Sequence, residues 1–129
     1  MEDIFFLDID DVLEIHNIAI EKYGGQNGIR DYNLLNSAIN QPRQTFGGKF
    51  LYNSTKTMAA IYAYHIAENQ PFIDGNKRTA FASSIVFLKL NGYRLITNND
   101  EVYNVFINLA NKNIDKDDLI LWYKEKATK

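Results

Sequence analysis

The sequence predicts an all-α fold, a single domain over residues 1–129 built as a bundle of about six helices with one small flap loop or hairpin. Three observations carry that expectation. Apolar residues recur at three- and four-residue spacing through most of the chain, and the stretches so marked start at Asp, Asn or Ser. The only segments with strand character are short, near Phe46 to Leu51 and Tyr93 to Ile96. One internal stretch is apolar or small on nearly every side, which suits a helix in the middle of a bundle.

The first helix is expected from Asp10 or Asp11 to Tyr23, with Val12, Ile15 and Ala19 on one face and Gly24-Gly25 as its stop. Asp31 can cap a short second helix through Leu34, Leu35, Ala38 and Ile39, ended by Pro42 because a proline ring disfavours helix at the residue before it. Thr45-Phe46-Gly47-Gly48 reads as a flexible loop or small hairpin. Asn53 or Ser54 caps a third helix that runs through Met58, Ile61, Tyr62 and His65 to about Asn69. After a turn at Asp74-Gly75, Asn76 caps the buried helix, Ala80 to Leu88 forming its interior and Asn91-Gly92 its end. Asn98 to Lys112 and Asp115 to Lys126 complete the set as two amphipathic helices.

Composition narrows the function. With 14 Lys+Arg against 16 Asp+Glu the net charge is −2, the wrong balance for a protein that holds duplex nucleic acid through phosphate contacts. No direct nucleic-acid partner is expected, though one local anion site remains compatible. No apolar run approaches the ~20 residues of a membrane span. The absence of cysteine removes disulfides and thiolate chemistry together and makes a reducing cytoplasm the simplest location.

The chemistry concentrates in Gln70-Pro71-Phe72-Ile73-Asp74-Gly75-Asn76-Lys77-Arg78. Lys77 and Arg78 fall in the first turn of a helix, where free N–H groups and the positive end of the dipole already point outward. Two cations are electrostatically wrong there unless an anion joins them, and phosphate is the usual anion at such a terminus. Asp74 beside the same turn suits a magnesium ligand, since a carboxylate next to a polyphosphate commonly holds that ion. The stretch therefore reads as a nucleotide-phosphate site. The plainer reading is a capped turn, with Asp-Gly as a common turn pair and basic side chains extending into solvent.

These residues resemble the signature of the Fic/Doc superfamily, in particular its death-on-curing branch of toxin–antitoxin toxins, His-x-Phe-x-(Asp/Asn)-(Ala/Gly)-Asn-Lys-Arg. Phe72, Asp74, Gly75, Asn76, Lys77 and Arg78 match in order, and the flanks Tyr23-Gly24-Gly25, Gly28-Ile29-Arg30-Asp31, Gln41-Pro42 and Thr45-Phe46-Gly47-Gly48 are similar as well. The resemblance implies a six-helix fold whose motif loop joins the third helix to the buried one. It implies that Phe72 fixes the loop in the core, that Asp74 holds Mg²⁺, and that Gly75, Asn76, Lys77 and Arg78 form an anion hole for ATP phosphates. Thr45 and Phe46 would belong to the flap that aligns a target segment beside the nucleotide. Relatives that transfer AMP resemble Gly-Asn-Gly-Arg-x-x-Arg instead. Lys77 stands at the third position of that pattern and Phe81 at its second arginine, which favours transfer of the γ-phosphoryl group to a Thr or Ser of a translation GTPase, elongation factor Tu.

One position departs from the pattern. The family's first motif residue is a histidine that acts as general base, and Gln70 occupies it here. A glutamine amide can orient a hydroxyl but cannot take its proton at neutral pH, and general-base help is worth ~10²–10⁴ in rate. Native or introduced, that glutamine leaves a chain expected to be inactive or severely impaired. His65 cannot replace it, since five residues of helix turn it roughly 140° away. His65 and His16 are read as packed structural histidines without a metal partner set, and Tyr62 and Tyr64 as core. Two further readings stay open, a catalytically silent module that binds an antitoxin and a Fic-type adenylyltransferase. Relatives that inhibit themselves carry a helix with a Ser/Thr start and a Glu followed by Gly or Asn; no separate segment of this sequence supplies it, and Glu68-Asn69 adjoins the motif loop and cannot fold back over it. Restraint is therefore expected in trans, from a cognate antitoxin whose amphipathic segment enters an apolar groove.

Overall fold

Helix starts in this chain are set by side chains that accept a backbone N–H. In the computed structural model, which describes residues 3–129, α1 (Ile9–Tyr23) starts on Asp8, α2 (Tyr32–Asn40) on Asp31 and α3 (Thr55–Asn69) on Ser54. Asn98 caps α5 (Asn99–Ala110) and Asp115 caps α6 (Lys116–Lys126). Each of these five side chains accepts from the N–H three residues on. The first helix therefore begins before the expected Asp10 or Asp11. Asp8 and Asp11 form a reciprocal capping box, and that three-residue spacing selects Asp8 over the two later aspartates.

The remaining α-helix, α4 (Asn76–Leu90), differs. Its N-cap is Gly75 in the left-handed region, φ 77°, and no side chain caps it. Asn76 is the first helical residue rather than the cap the sequence suggests. Its amide is engaged elsewhere, for Phe72 N–H donates to Asn76 Oδ1 at 2.9 Å and Asn76 Nδ2 donates to Phe72 O at 3.0 Å.

The core is organised around α3, which packs most extensively on α4, α6 and α2. Met58, Ala59, Ile61, Tyr62, Ala63 and Ile66 are all buried on it. The small side chains of Ala59, Ala60 and Ala63, all buried, let the neighbouring helices approach closely. α4 answers with Ala80, Ser83, Ser84, Phe87 and Leu88. Its opposite flank, Phe81, Ala82, Ile85 and Val86, is only partly covered. The helix is thus central on one side and open on the other, so the expectation of burial all round holds for half of it.

The expected hairpin forms from β1 (Thr45–Phe46) and β2 (Lys49–Phe50), antiparallel, turning at Gly47-Gly48. Pro42 sits in a 3₁₀ turn over Gln41–Arg43 directly after α2, as a helix stop should. β3 (Arg94–Leu95) pairs with β4 (Ala127–Thr128), a strand that two residues of sequence could not announce. The fold is a small all-α domain with two minimal strand pairs, and no helix among the described residues is long and apolar enough to cross a membrane.

Candidate active site

The loop that joins α3 to α4 carries Gln70 to Gly75, and neighbouring elements hold it from several directions. Arg30 N–H and Asp31 N–H both donate to Pro71 O, at 2.7 and 3.0 Å, and Ile73 N–H donates to Gly28 O at 3.1 Å. The Arg30 guanidinium caps the end of α3, with Nε donating to Gln70 O at 2.7 Å and Nη2 to Asn69 O at 2.8 Å. Phe72 is buried, its ring stacked on the His16 ring with centroids 3.8 Å apart and planes 5° from parallel. His16 Nε2 lies 2.8 Å from Asp74 O, so it carries the proton in that contact. His16 is therefore packed, as the sequence suggests, and it also positions the loop.

Two glycines make this close approach possible. A Cβ on Gly25 would lie 2.8 Å from Asp74 Oδ2, and one on Gly28 would lie 2.9 Å from Ile73 Cδ1. Gln70 adopts the left-handed conformation with φ 45° and ψ 58°, while its N–H still donates to Ile66 O. That region costs a non-glycine residue roughly 1–2 kcal/mol. The Arg30 contact to its carbonyl helps to hold it there.

A cavity of about 360 Å³ opens beside the loop. Its polar wall is Gln70, Asp74, Gly75, Asn76 and Lys77, and its apolar wall comes from Phe106, Leu109 and Ala110 at the end of α5. Glu68 and Lys112 face each other at its edge, Lys112 Nζ lying 2.7 and 2.9 Å from the two carboxylate oxygens. The first-turn N–H groups of α4 are left free by the missing cap, in a wall that also carries Lys77.

Asp74 is exposed and accepts one backbone N–H on each oxygen, from Gly75 at 3.0 Å and from Gln26 at 3.1 Å. A carboxylate offers about four lone-pair sites, so both oxygens keep capacity for a cation. Among the described residues no three His, Cys, Asp or Glu side chains gather into a metal site. A lone carboxylate suits magnesium, which is usually held by one or two carboxylates plus substrate phosphates and waters.

The cavity does not gather every residue the sequence nominates. The Arg78 guanidinium carbon sits 4.4 Å from the centroid of the Tyr23 ring and lines a different surface, the groove between α1 and α4. Thr45 and Phe46 lie on the exposed hairpin, Phe46 at 83% exposure, and neither lines the cavity. His65 is partly buried with an unpartnered Nε2. Burial first, then nearby Lys116, lowers its pKa from 6.5 to about 4, leaving it neutral at pH 7. Arg30, Glu68 and Lys112 are absent from the sequence reading of the site. Their contacts span about forty residues, a separation that no local pattern encodes.

The Fic/DOC family matches residues 6–88, a span that contains α1, α2, α3, the loop and nearly all of α4. The chain is 39% identical over 95 residues to Toxin Doc of Mycolicibacterium smegmatis, an alignment covering 74% of this chain and 71% of that protein. It is 27% identical over 86 residues to Protein kinase doc of Escherichia phage P1, covering 67% and 68% respectively. The matched span includes Gln70 to Lys77, the whole polar wall of the cavity, and with more than half of its length inside the match the chain belongs to the Fic/Doc family.

Proposed function

We propose that this chain is a Doc-like toxin whose cavity binds the polyphosphate of ATP, and whose chemistry is that of a protein kinase held back by Gln70. The observation that carries this reading is the uncapped start of α4, with Lys77 in its first turn, facing the same cavity as Gln70 and Asp74. Free N–H groups, helix dipole and a lysine then converge on one point, which is the arrangement phosphate requires. In the reaction, a Thr or Ser hydroxyl oxygen of a translation GTPase, elongation factor Tu, bonds to the γ-phosphorus as the bond to the β-phosphate oxygen breaks and ADP leaves. The hydroxyl proton must go to a base, and the Gln70 amide cannot accept it. Asp74 would hold Mg²⁺, which offsets charge on the transferring group. Arg78 would join the phosphates by leaving Tyr23, at a cost of about 0.5–1 kcal/mol for an exposed cation–π contact.

Transfer of AMP instead is disfavoured by Lys77 and Phe81, which stand where that branch has glycine and arginine. Reversing one charge tests the phosphate site. Lys77→Glu should weaken Mg-ATP binding more than about a hundredfold by calorimetry, given that single charge-assisted hydrogen bonds reach about 3 kcal/mol. Unchanged affinity would remove the site.

Restraint of such a toxin falls to a cognate antitoxin, and the groove between α1 and α4 is the surface that suits one. Ile15, Ile18 and Ala19 from α1 face Phe81, Ile85 and Val86 from α4, with Lys22 and Arg78 beside them. An amphipathic helix with acidic residues at one end would cover it. Ile18 is 54% exposed, so Ile18→Asp should leave the fold intact by circular dichroism. The same change should abolish co-purification with the antitoxin of its own operon. Recovery of the intact complex would place the antitoxin elsewhere.

A further inference from the structure

Resting on the nucleotide reading of the cavity, we propose that Lys112 is a second polyphosphate ligand, held by Glu68 in the free protein and released to the nucleotide when it enters. Two independent observations meet at this residue. Lys112 pairs with both oxygens of Glu68 across the edge of the cavity that Lys77 lines. Lys112 is also left-handed, φ 63°, and among the described residues it and Gln70 are the non-glycine residues with positive φ. Both line this one cavity. Left-handed backbone at non-glycine positions concentrates where a side chain must be presented at a site. A turn that served only to end α5 would take glycine or asparagine there at lower strain.

The pairing has the strength an exchange needs. Both side chains are substantially exposed, 69% for Lys112 and 39% for Glu68, and ion pairs of that kind contribute little net stability. A triphosphate offers Lys112 more negative charge than one carboxylate, and Lys112 can swing on a flexible four-carbon stem. While it sits on the lysine, Glu68 also presents negative charge to an incoming anion. Glu68 is therefore a competitor for the cation, and the two residues have opposite effects on affinity.

Calorimetry with Mg-ATP on the full chain decides this. Lys112→Met should weaken binding about tenfold, the scale of one charge-assisted hydrogen bond. Glu68→Gln should tighten it about threefold, and that gain should shrink when Lys112→Met is also present, because the freed cation is then missing. Lys112→Gly supplies the control for folding. It relieves the backbone, so thermal stability should rise while Mg-ATP affinity falls as in Lys112→Met. Full affinity in Lys112→Met or Lys112→Gly overturns the proposal, as does a Glu68→Gln gain undiminished without Lys112. If Lys77→Glu abolishes binding while Lys112→Met leaves it unchanged, the nucleotide site stands and the role of Lys112 falls. If the unaltered chain binds no Mg-ATP, the nucleotide reading itself fails and this inference falls with it.

Discussion

Gln70→His should raise transfer of the γ-phosphoryl group from ATP to elongation factor Tu by at least ~10²-fold, the low end of what a positioned general base contributes. Position 70 is prepared for that residue. Its left-handed backbone is pinned by Arg30 on the carbonyl and by Ile66 on the N–H, so the substitution changes only the side chain. Histidine is also more frequent than most residues in left-handed backbone, so the fold should tolerate the change without loss. Mg-ATP affinity should stay as it is, because Lys77 and the start of α4 are untouched. Expression without antitoxin should then arrest growth. Adding Asp74→Ala should remove the gain, since the residue proposed to hold the metal is lost. Label from γ-labelled ATP, and none from α-labelled ATP, should appear on the target; the reverse would assign the adenylyltransferase chemistry. A Gln70→His protein that binds Mg-ATP yet labels nothing and leaves growth unchanged would falsify the kinase reading and favour a silent antitoxin-binding module.

The residues around position 70 were legible because the loop is short-range chemistry. Asp74, Gly75, Asn76 and Lys77 are contiguous, and a loop followed by a helix start places them on one wall. Helix limits were legible for the same reason, since Asp31, Ser54, Asn98 and Asp115 each bond to a group three residues away. Asn76 shows where local inference stops. An asparagine before a helical stretch is an ordinary cap, and only the position of Phe72 reveals that its amide is already occupied. Arg78 shows the same limit from the other direction. Helix position puts it beside Lys77, while the Tyr23 ring from α1 draws its side chain into another groove. The α5 wall and the Glu68–Lys112 pair depend on how distant helices meet, which helical periodicity does not specify.

Phe72 links the core to the chemistry, and its removal should damage both. The side chain is fully enclosed, and truncating a buried phenylalanine costs about 3–5 kcal/mol. For a domain of this size that corresponds to a melting temperature lower by roughly 10–20 °C. Phe87 provides the comparison. It is equally buried, packs against Phe6 and Tyr62 within the core, and makes no contact with the motif loop through its backbone. Phe87→Ala should therefore destabilise by a similar amount and still bind Mg-ATP when assayed below its transition. Phe72→Ala should not. The Phe72 backbone N–H and carbonyl are the two groups that hold the Asn76 amide, and its ring is the stacking partner that orients His16 toward Asp74 O. Without the ring, the loop loses its anchor in the core, and Asp74 and the first turn of α4 lose their fixed relation. Affinity should fall in Phe72→Ala at temperatures where circular dichroism still reports a folded chain. Equal Mg-ATP affinity in the two folded variants would mean that backbone contacts from Gly28, Arg30 and Asp31 suffice to shape the loop, and that the phenylalanine contributes stability alone.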